Sequence, residues 1–178
     1  ALSSAASDVY KRQPYTYTYF SELPHMHDRT ICVGSLSKTY SITGWRVGYI
    51  LGPEAVIDEI KKVHTFFTIS APSPLQEAAV TGLRFGGDYY DGLVKTYTEK
   101  RDILMKGLDD LGLKHNIPQG AFYLLVDISE FGYEKDTEFC EDLVRKVGVG
   151  SVPGSTFFAE DVQKYVRLHF AVNNETLY

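Results

Sequence analysis

Residues 34–51 read GSLSKTYSITGWRVGYIL, and this stretch decides how the rest of the chain is understood. The residues before it, RTICVGS, end in an apolar, β-branched run closed by Gly34, which reads as a buried strand meeting a turn. VGYIL over 47–51 reads as a second strand. Lys38 therefore lies just past a buried strand, among small hydroxyl residues and eight positions before Arg46. An ammonium at such a place needs a partner or a chemical task.

Ser35, Ser37, Lys38 and Arg46 together have the chemistry of an anion site. Arginine offers a bidentate fork, and the hydroxyls and turn amides add donors for a phosphate. Gly44 and Gly48 are expected to let the loop turn tightly and return Arg46 toward Ser35. The lysine has a further option. Beside another cation its amine loses a proton more easily and can form a Schiff base with a carbonyl. Phosphate and aldehyde in one small molecule describe pyridoxal phosphate. The glycine array of a nucleotide-binding P-loop is missing before Lys38. On spacing alone, a solvated lysine and a structural arginine remain an open alternative.

Outward from this stretch, GPEAVIDEIKKVHTFF predicts a helix with Pro53 at its first position and an apolar stripe of Val56, Ile60, Val63 and Phe67. Its acids lie early and Lys61, Lys62 and His64 late, which suits the helix dipole. SPLQ at 73–76 has the form of a capping box with Ser73 as cap. A long helix is expected from Asp88 to about Leu111, with Tyr90, Leu93, Tyr97, Leu104, Leu108 and Leu111 on one side and Gly112 ending it. Then come a strand at 121–128, a helix at about 137–147 stopped by Gly148, and a short strand at 149–152. YVRLHFAV alternates as a strand: Val166, Leu168 and Phe170 face one way, Tyr165, Arg167 and His169 the other. Asn174 is a candidate helix cap. The fold class is α/β, with an α+β unit beginning in or after the long helix.

The 178 residues are 44% hydrophobic and 23% charged, as in an ordinary globular protein. A net charge of −5 without a basic block argues against nucleic-acid binding. No apolar run approaches the roughly 20 residues that span a bilayer. Cys32 and Cys140 have no metal-type spacing, which suits a reducing cytoplasm. His25 and His27 lack a third ligand nearby and read as a solvated loop. His64 and His169 read as structural, and Tyr40 and Trp45 as aromatic packing.

SLSKTYSITGWRVG resembles the cofactor-lysine signature of class I/II aminotransferases, the fold-type I pyridoxal-phosphate enzymes. PQGAFYLLVDIS, VGVGSVPGSTFF and YVRLHFAVNNETL extend the resemblance from about Pro14 to Tyr178. It implies the C-terminal part of a large domain followed by a small α+β domain. By position, Lys38 is similar to the lysine that holds the cofactor aldehyde and moves the substrate Cα proton. Ser35, Ser37 and Arg46 resemble the phosphate ligands, and Arg167 the arginine that clamps the substrate α-carboxylate; an ordinary salt bridge is the alternative for Arg167. The family's substrates are an amino acid and a 2-oxo acid, and its members are usually homodimers.

Residues 1–13, ALSSAASDVYKRQ, lack periodicity, and their end matches the in-frame translation of a transposase adapter, so they read as an assembly scar. Residues 14–90 then read as a remnant of the cofactor-binding domain and 91–178 as the long helix and small domain. The family's D-x-x-Y element falls just before Pro14; Asp8 and Tyr10 are one residue too close together to supply it. The expectation is a fragment, inactive alone, of a pyridoxal-phosphate-dependent aminotransferase. Two alternatives stay open: a fold-type I lyase, and an aminotransferase-like effector domain behind a winged helix, which a basic helix-turn-helix segment upstream would reveal.

Overall fold

The computed structural model describes residues 18–177, so the reading of 1–13 lies outside the described residues. The chain divides into two compact units between Val94 and Lys95.

In the first unit, β1 (Cys32–Ser35) and β2 (Gly48–Leu51) pair antiparallel, with Gly34 opposite Tyr49 and Ser35 opposite Gly48. A further bond from Leu36 N–H to Val47 O, at 3.2 Å, carries the ladder toward the loop. Both glycines are required by this pairing. A Cβ on Gly48 would lie 2.5 Å from the Gly34 carbonyl oxygen, and one on Gly34 would meet the Tyr49 ring. Leu36, Val47 and Ala79 form a small buried cluster with Tyr40, Ile42, Trp45, Ala71 and Leu75 against it.

Helix α1 (Glu54–Phe67) starts one residue later than the sequence suggests, with Pro53 in the cap position. Extended Pro53 (ψ 137°) lies outside the helical region, so it can only precede the helix. Its apolar stripe is not buried among the described residues: Val56, Val63 and Phe67 are all exposed. Helix α2 (Ser73–Leu83) is capped by extended Pro72 rather than by Ser73, whose hydroxyl makes no cap bond. The Gln76 carboxamide instead donates backward to the Ala71 carbonyl at 2.7 Å.

Helix α3 (Gly87–Asp110) ends as expected. Gly112 takes φ +71°, and the Leu113 N–H reaches the Leu108 carbonyl at 2.9 Å, closing the last turn. Leu108 is buried, but Leu111 is 75% exposed and leaves the expected apolar side, because the helix stops before it.

The second unit holds a three-stranded antiparallel sheet of β3 (Tyr123–Asp127), β4 (Val152–Pro153) and β5 (Tyr165–His169), in the order β3–β5–β4. The strand expected at 149–152 is reduced to the two residues of β4. Central β5 alternates as its sequence requires. Val166 and the following Phe170 are buried and Leu168 packs on the core, while Tyr165 and Arg167 are half-buried on the other face. Helix α4 (Asp136–Val147) ends at Gly148 with φ +79° and buries Phe139 and Cys140 against Leu108, Leu124, Val126, Ile128 and Val166. Each such side chain contributes roughly 1.5–3 kcal/mol when fully buried. Asn174, expected as a cap, is the first residue of α5 (Asn174–Leu177). No described helix is long and apolar enough to cross a membrane.

Candidate active site

Lys38 rides on a turn built directly from the end of β1. The Ser37 N–H donates to the Ser35 hydroxyl at 3.2 Å. The Ser37 carbonyl is held twice, by the Ile42 N–H at 3.0 Å and the Thr43 hydroxyl at 3.2 Å. These bonds fix the backbone on both sides of Lys38, which is half-buried. The β1–β2 ladder then places Arg46 one residue from Val47, whose carbonyl binds Leu36. Ser35, Ser37, Lys38 and Arg46 thus share one end of one hairpin.

The turn works differently from the sequence expectation in one respect. Gly44 has open space around it, and the left-handed residues of the loop are Ser41, at φ 56°, and Arg46, at φ 55° and ψ 40°. A bulky side chain held there is backbone strain of the kind that collects at functional sites. The Arg46 Nη1 donates to the Thr43 carbonyl at 2.9 Å, leaving most of an exposed guanidinium fork facing outward.

Ser37 supplies a test of whether an anion fits. The residue is only 6% exposed, yet its hydroxyl makes no hydrogen bond to another described residue. A buried hydroxyl without a partner costs about 1–3 kcal/mol. With the Ser35 hydroxyl, whose oxygen already accepts from Ser37, it forms a pair of donors at the hairpin end to which the chain returns at Arg46. That donor set fits a phosphate.

An aromatic buttress behind this turn was not legible in the sequence. The Tyr89 hydroxyl donates to the Thr39 carbonyl at 2.7 Å, fixing the residue next to Lys38. The Tyr40 and Tyr90 hydroxyls lie 2.8 Å apart, and Tyr40 packs on Tyr89 and Phe85. Burial, and then the bond to Tyr90, push the Tyr40 hydroxyl well above its usual titration range. Helical Gly82 leaves room for the Tyr40 ring, which would lie 3.0–3.2 Å from any Cβ there.

Arg167 lies in the second unit. Its guanidinium carbon lies against the rings of both Tyr123 and Phe157, at 4.3 and 4.1 Å from their centroids. Leu125 of β3 and Val152 of β4 flank it in register, so Tyr123, two residues along β3, shares its face. Among the described residues no carboxylate pairs with the Arg167 guanidinium and no hydrogen bond engages it; the salt-bridge alternative finds no partner there. A guanidinium packed by its face on aromatic rings can keep its edge, where its donors point, for a planar anion.

Of the histidines, His169 pairs in register with Tyr123 on β3. His25 and His27 are exposed, and no described cluster of His, Cys, Asp and Glu could hold a metal ion. The ring of His64 is bonded to the Thr68 hydroxyl, and His169 is exposed at the end of β5.

The family described as aminotransferase class I and II matches residues 6–178, and the chain belongs to it. Members of this family use pyridoxal phosphate, and the fold is fold-type I. The chain is 39% identical over 155 residues to the methionine aminotransferase of Escherichia coli, a match covering 86% of this chain and 40% of that protein. It is 38% identical over 177 residues to the bifunctional aspartate and glutamate/aspartate-prephenate aminotransferase of Petunia hybrida, covering 92% and 36%. Among solved structures, an Escherichia coli methionine aminotransferase superposes with a TM-score of 0.89 at 34% identity, covering 98% of this chain and 46% of that one. The N-succinyldiaminopimelate aminotransferase of Mycobacterium tuberculosis gives 0.91 at 26% identity, with the same coverage. The chain spans less than half the length of these relatives.

Proposed function

We propose that the protein to which this chain belongs is a pyridoxal-phosphate-dependent aminotransferase moving an amino group between an amino acid and a 2-oxo acid. The observation that carries the reading is the shared hairpin end of Ser35, Ser37, Lys38 and Arg46, with the buried Ser37 hydroxyl lacking an acceptor among the described residues. Bound pyridoxal phosphate supplies an electron sink that stabilises negative charge at the substrate Cα. Ser35, Ser37 and Arg46 hold its phosphate. Lys38 would hold its aldehyde through the side-chain amine, and that amine would carry the proton at the substrate Cα. Arg167 grips the α-carboxylate with its free edge, and the flanking rings keep the guanidinium planar and aimed.

Residues 14–90 are the part of the cofactor-binding domain present here, and 91–178 the linking helix and small domain; the division into units between Val94 and Lys95 supports this. Full activity belongs to a chain of family length, acting as a homodimer in the cytoplasm. The exposed apolar faces of α1 and β2 support the need for more protein than this chain.

The test uses the full-length protein containing this segment. Borohydride reduction after loading with pyridoxal phosphate should fix the cofactor on the Lys38 peptide, read by mass spectrometry. Conversion of an amino acid to its 2-oxo acid should fall at least about 10⁴-fold in Lys38→Ala. A label on another lysine, or an unchanged rate, would sink the proposal.

A further inference from the structure

We infer that Asp136 is a positioning residue for Arg167: acting through Ser155, it holds Phe157 over the guanidinium and so sets the affinity of the carboxylate site. The inference rests on the reading of Arg167 given above.

Asp136 is 0% exposed, at the first position of α4. A carboxylate so placed is costly unless its oxygens are bonded. An acid in a first helical turn ordinarily serves its own helix, by capping amides or meeting the dipole from the solvent side. Here both oxygens leave the helix. One accepts from the Ser155 N–H at 2.7 Å and the other from the Ser155 hydroxyl at 3.0 Å. The Asp136 N–H donates to the Gln163 side-chain oxygen at 3.4 Å.

Ser155 belongs to the short turn Gly154–Phe157. The turn lies flush on β5, since a Cβ on Gly154 would sit 2.5 Å from the Tyr165 carbonyl oxygen, two residues before Arg167. The Thr156 hydroxyl closes the turn by donating to the Pro153 carbonyl at 2.7 Å. Phe157 follows, half exposed, with Arg167 4.1 Å from its ring centroid. Packing alone holds an exposed ring poorly. The Asp136–Ser155 bonds supply a rigid anchor two residues away.

The consequence concerns binding, not bond chemistry. A guanidinium fixed against two rings loses little freedom when a carboxylate arrives; one with a missing ring must be ordered at that moment. A small displacement at such a contact can cost from about tenfold to a hundredfold.

The experiment uses the full-length holoenzyme containing this segment, with the unreactive acid 4-methylpentanoate as probe. Its Kd is read from the change in cofactor absorbance, alongside KM and kcat for an amino acid. Asp136→Ala and Ser155→Ala should each weaken the probe about tenfold and raise KM more than they lower kcat. Borohydride should still fix pyridoxal phosphate on Lys38. Asp136→Asn should stay within about twofold of the parent, because one amide oxygen can take the Ser155 N–H while the amide nitrogen donates to the hydroxyl. Phe157→Leu should weaken the probe by a similar factor, and combining it with Ser155→Ala should add little, since both act on one contact. Unchanged Kd in Ser155→Ala, or full additivity with Phe157→Leu, overturns the inference even if Asp136→Ala fails to fold. Unchanged Kd in Arg167→Ala instead removes the underlying reading of Arg167, whatever Asp136 does.

Discussion

The two units differ in how far each closes its own core. The second buries Leu124, Val126, Ile128, Phe139 and Val166 between a sheet and the helices on it. In the first, Leu36, Val47 and Ala79 are the buried apolar residues among those described, while Phe66 is 91% exposed and Phe67 81%. Yet the lysine hairpin, with the tightest set of local constraints around any proposed site residue, lies in the first. Local hydrogen bonding and glycine sterics can therefore shape a site turn whose surrounding core is not closed by the described residues.

The sharpest way to break this contrast is to cut into each core. Leu124→Ala should cost the second unit about 2–5 kcal/mol, seen as a lower urea midpoint by circular dichroism. Val63→Ala, at a 57% exposed position on α1, should change stability by less than about 0.5 kcal/mol. Equal effects would mean that α1 buries its stripe in solution and that the contrast is wrong.

Within the first unit the hairpin itself can be tested through its glycines. Gly48→Ala should cost about 1–3 kcal/mol, because the new methyl meets the Gly34 backbone oxygen. Gly34→Ala meets only the outer atoms of the Tyr49 ring, 42% exposed and able to swing aside. It should cost less, and Tyr49→Ala should rescue it while leaving Gly48→Ala unrescued. Thermal unfolding of the four variants decides this, and a reversed order would displace the β1–β2 register.

What was legible in the sequence was local. The Lys38 turn, the alternation of β5 and the glycine stops at Gly112 and Gly148 each follow from neighbours within a few residues. The errors were of three physical kinds. The SPLQ pattern suggested a Ser73 cap, but extended Pro72 already fills that position. Periodicity identified the apolar stripe of α1 without saying what covers it, and the stripe is exposed. Long-range partners left no trace at all: the Tyr89–Thr39 bond joins residues fifty apart, and nothing local distinguishes Asp136 from a solvent-facing helix acid. Arg167 shows the boundary well. Strand alternation gave its face, but the rings of Tyr123 and Phe157 that pack on it come from elsewhere in the chain.

The exposed aromatics of α1 offer a smaller test. Phe66→Ser with Phe67→Ser should leave the far-ultraviolet spectrum of the chain unchanged and reduce its self-association in sedimentation. Greater helix loss than in Val63→Ala would show that these rings pack on something in solution.

The smallest effect separates the units by pH. Asp127, at the end of β3, is held below the usual carboxylate range, chiefly by the Ser129 hydroxyl and then by the Ser129 N–H at 2.9 Å, against a modest opposing effect of burial. A carboxyl depressed in the folded state adds stability that is complete above its unfolded pKa, about 3.9, and is lost as pH falls through the folded value. Acidification below about pH 4 should therefore weaken the second unit by this route. Ser129→Ala removes the largest cause and keeps the backbone bond, so it should flatten that acid limb while leaving stability at pH 7 slightly lower. The group is well solvated, and the change should be a few tenths of a kcal/mol at most, as for other exposed polar contacts. Urea midpoints at pH 3 and pH 7 give the comparison; an acid limb as steep in Ser129→Ala as in the parent would assign the depression to Lys164 and Lys114 instead.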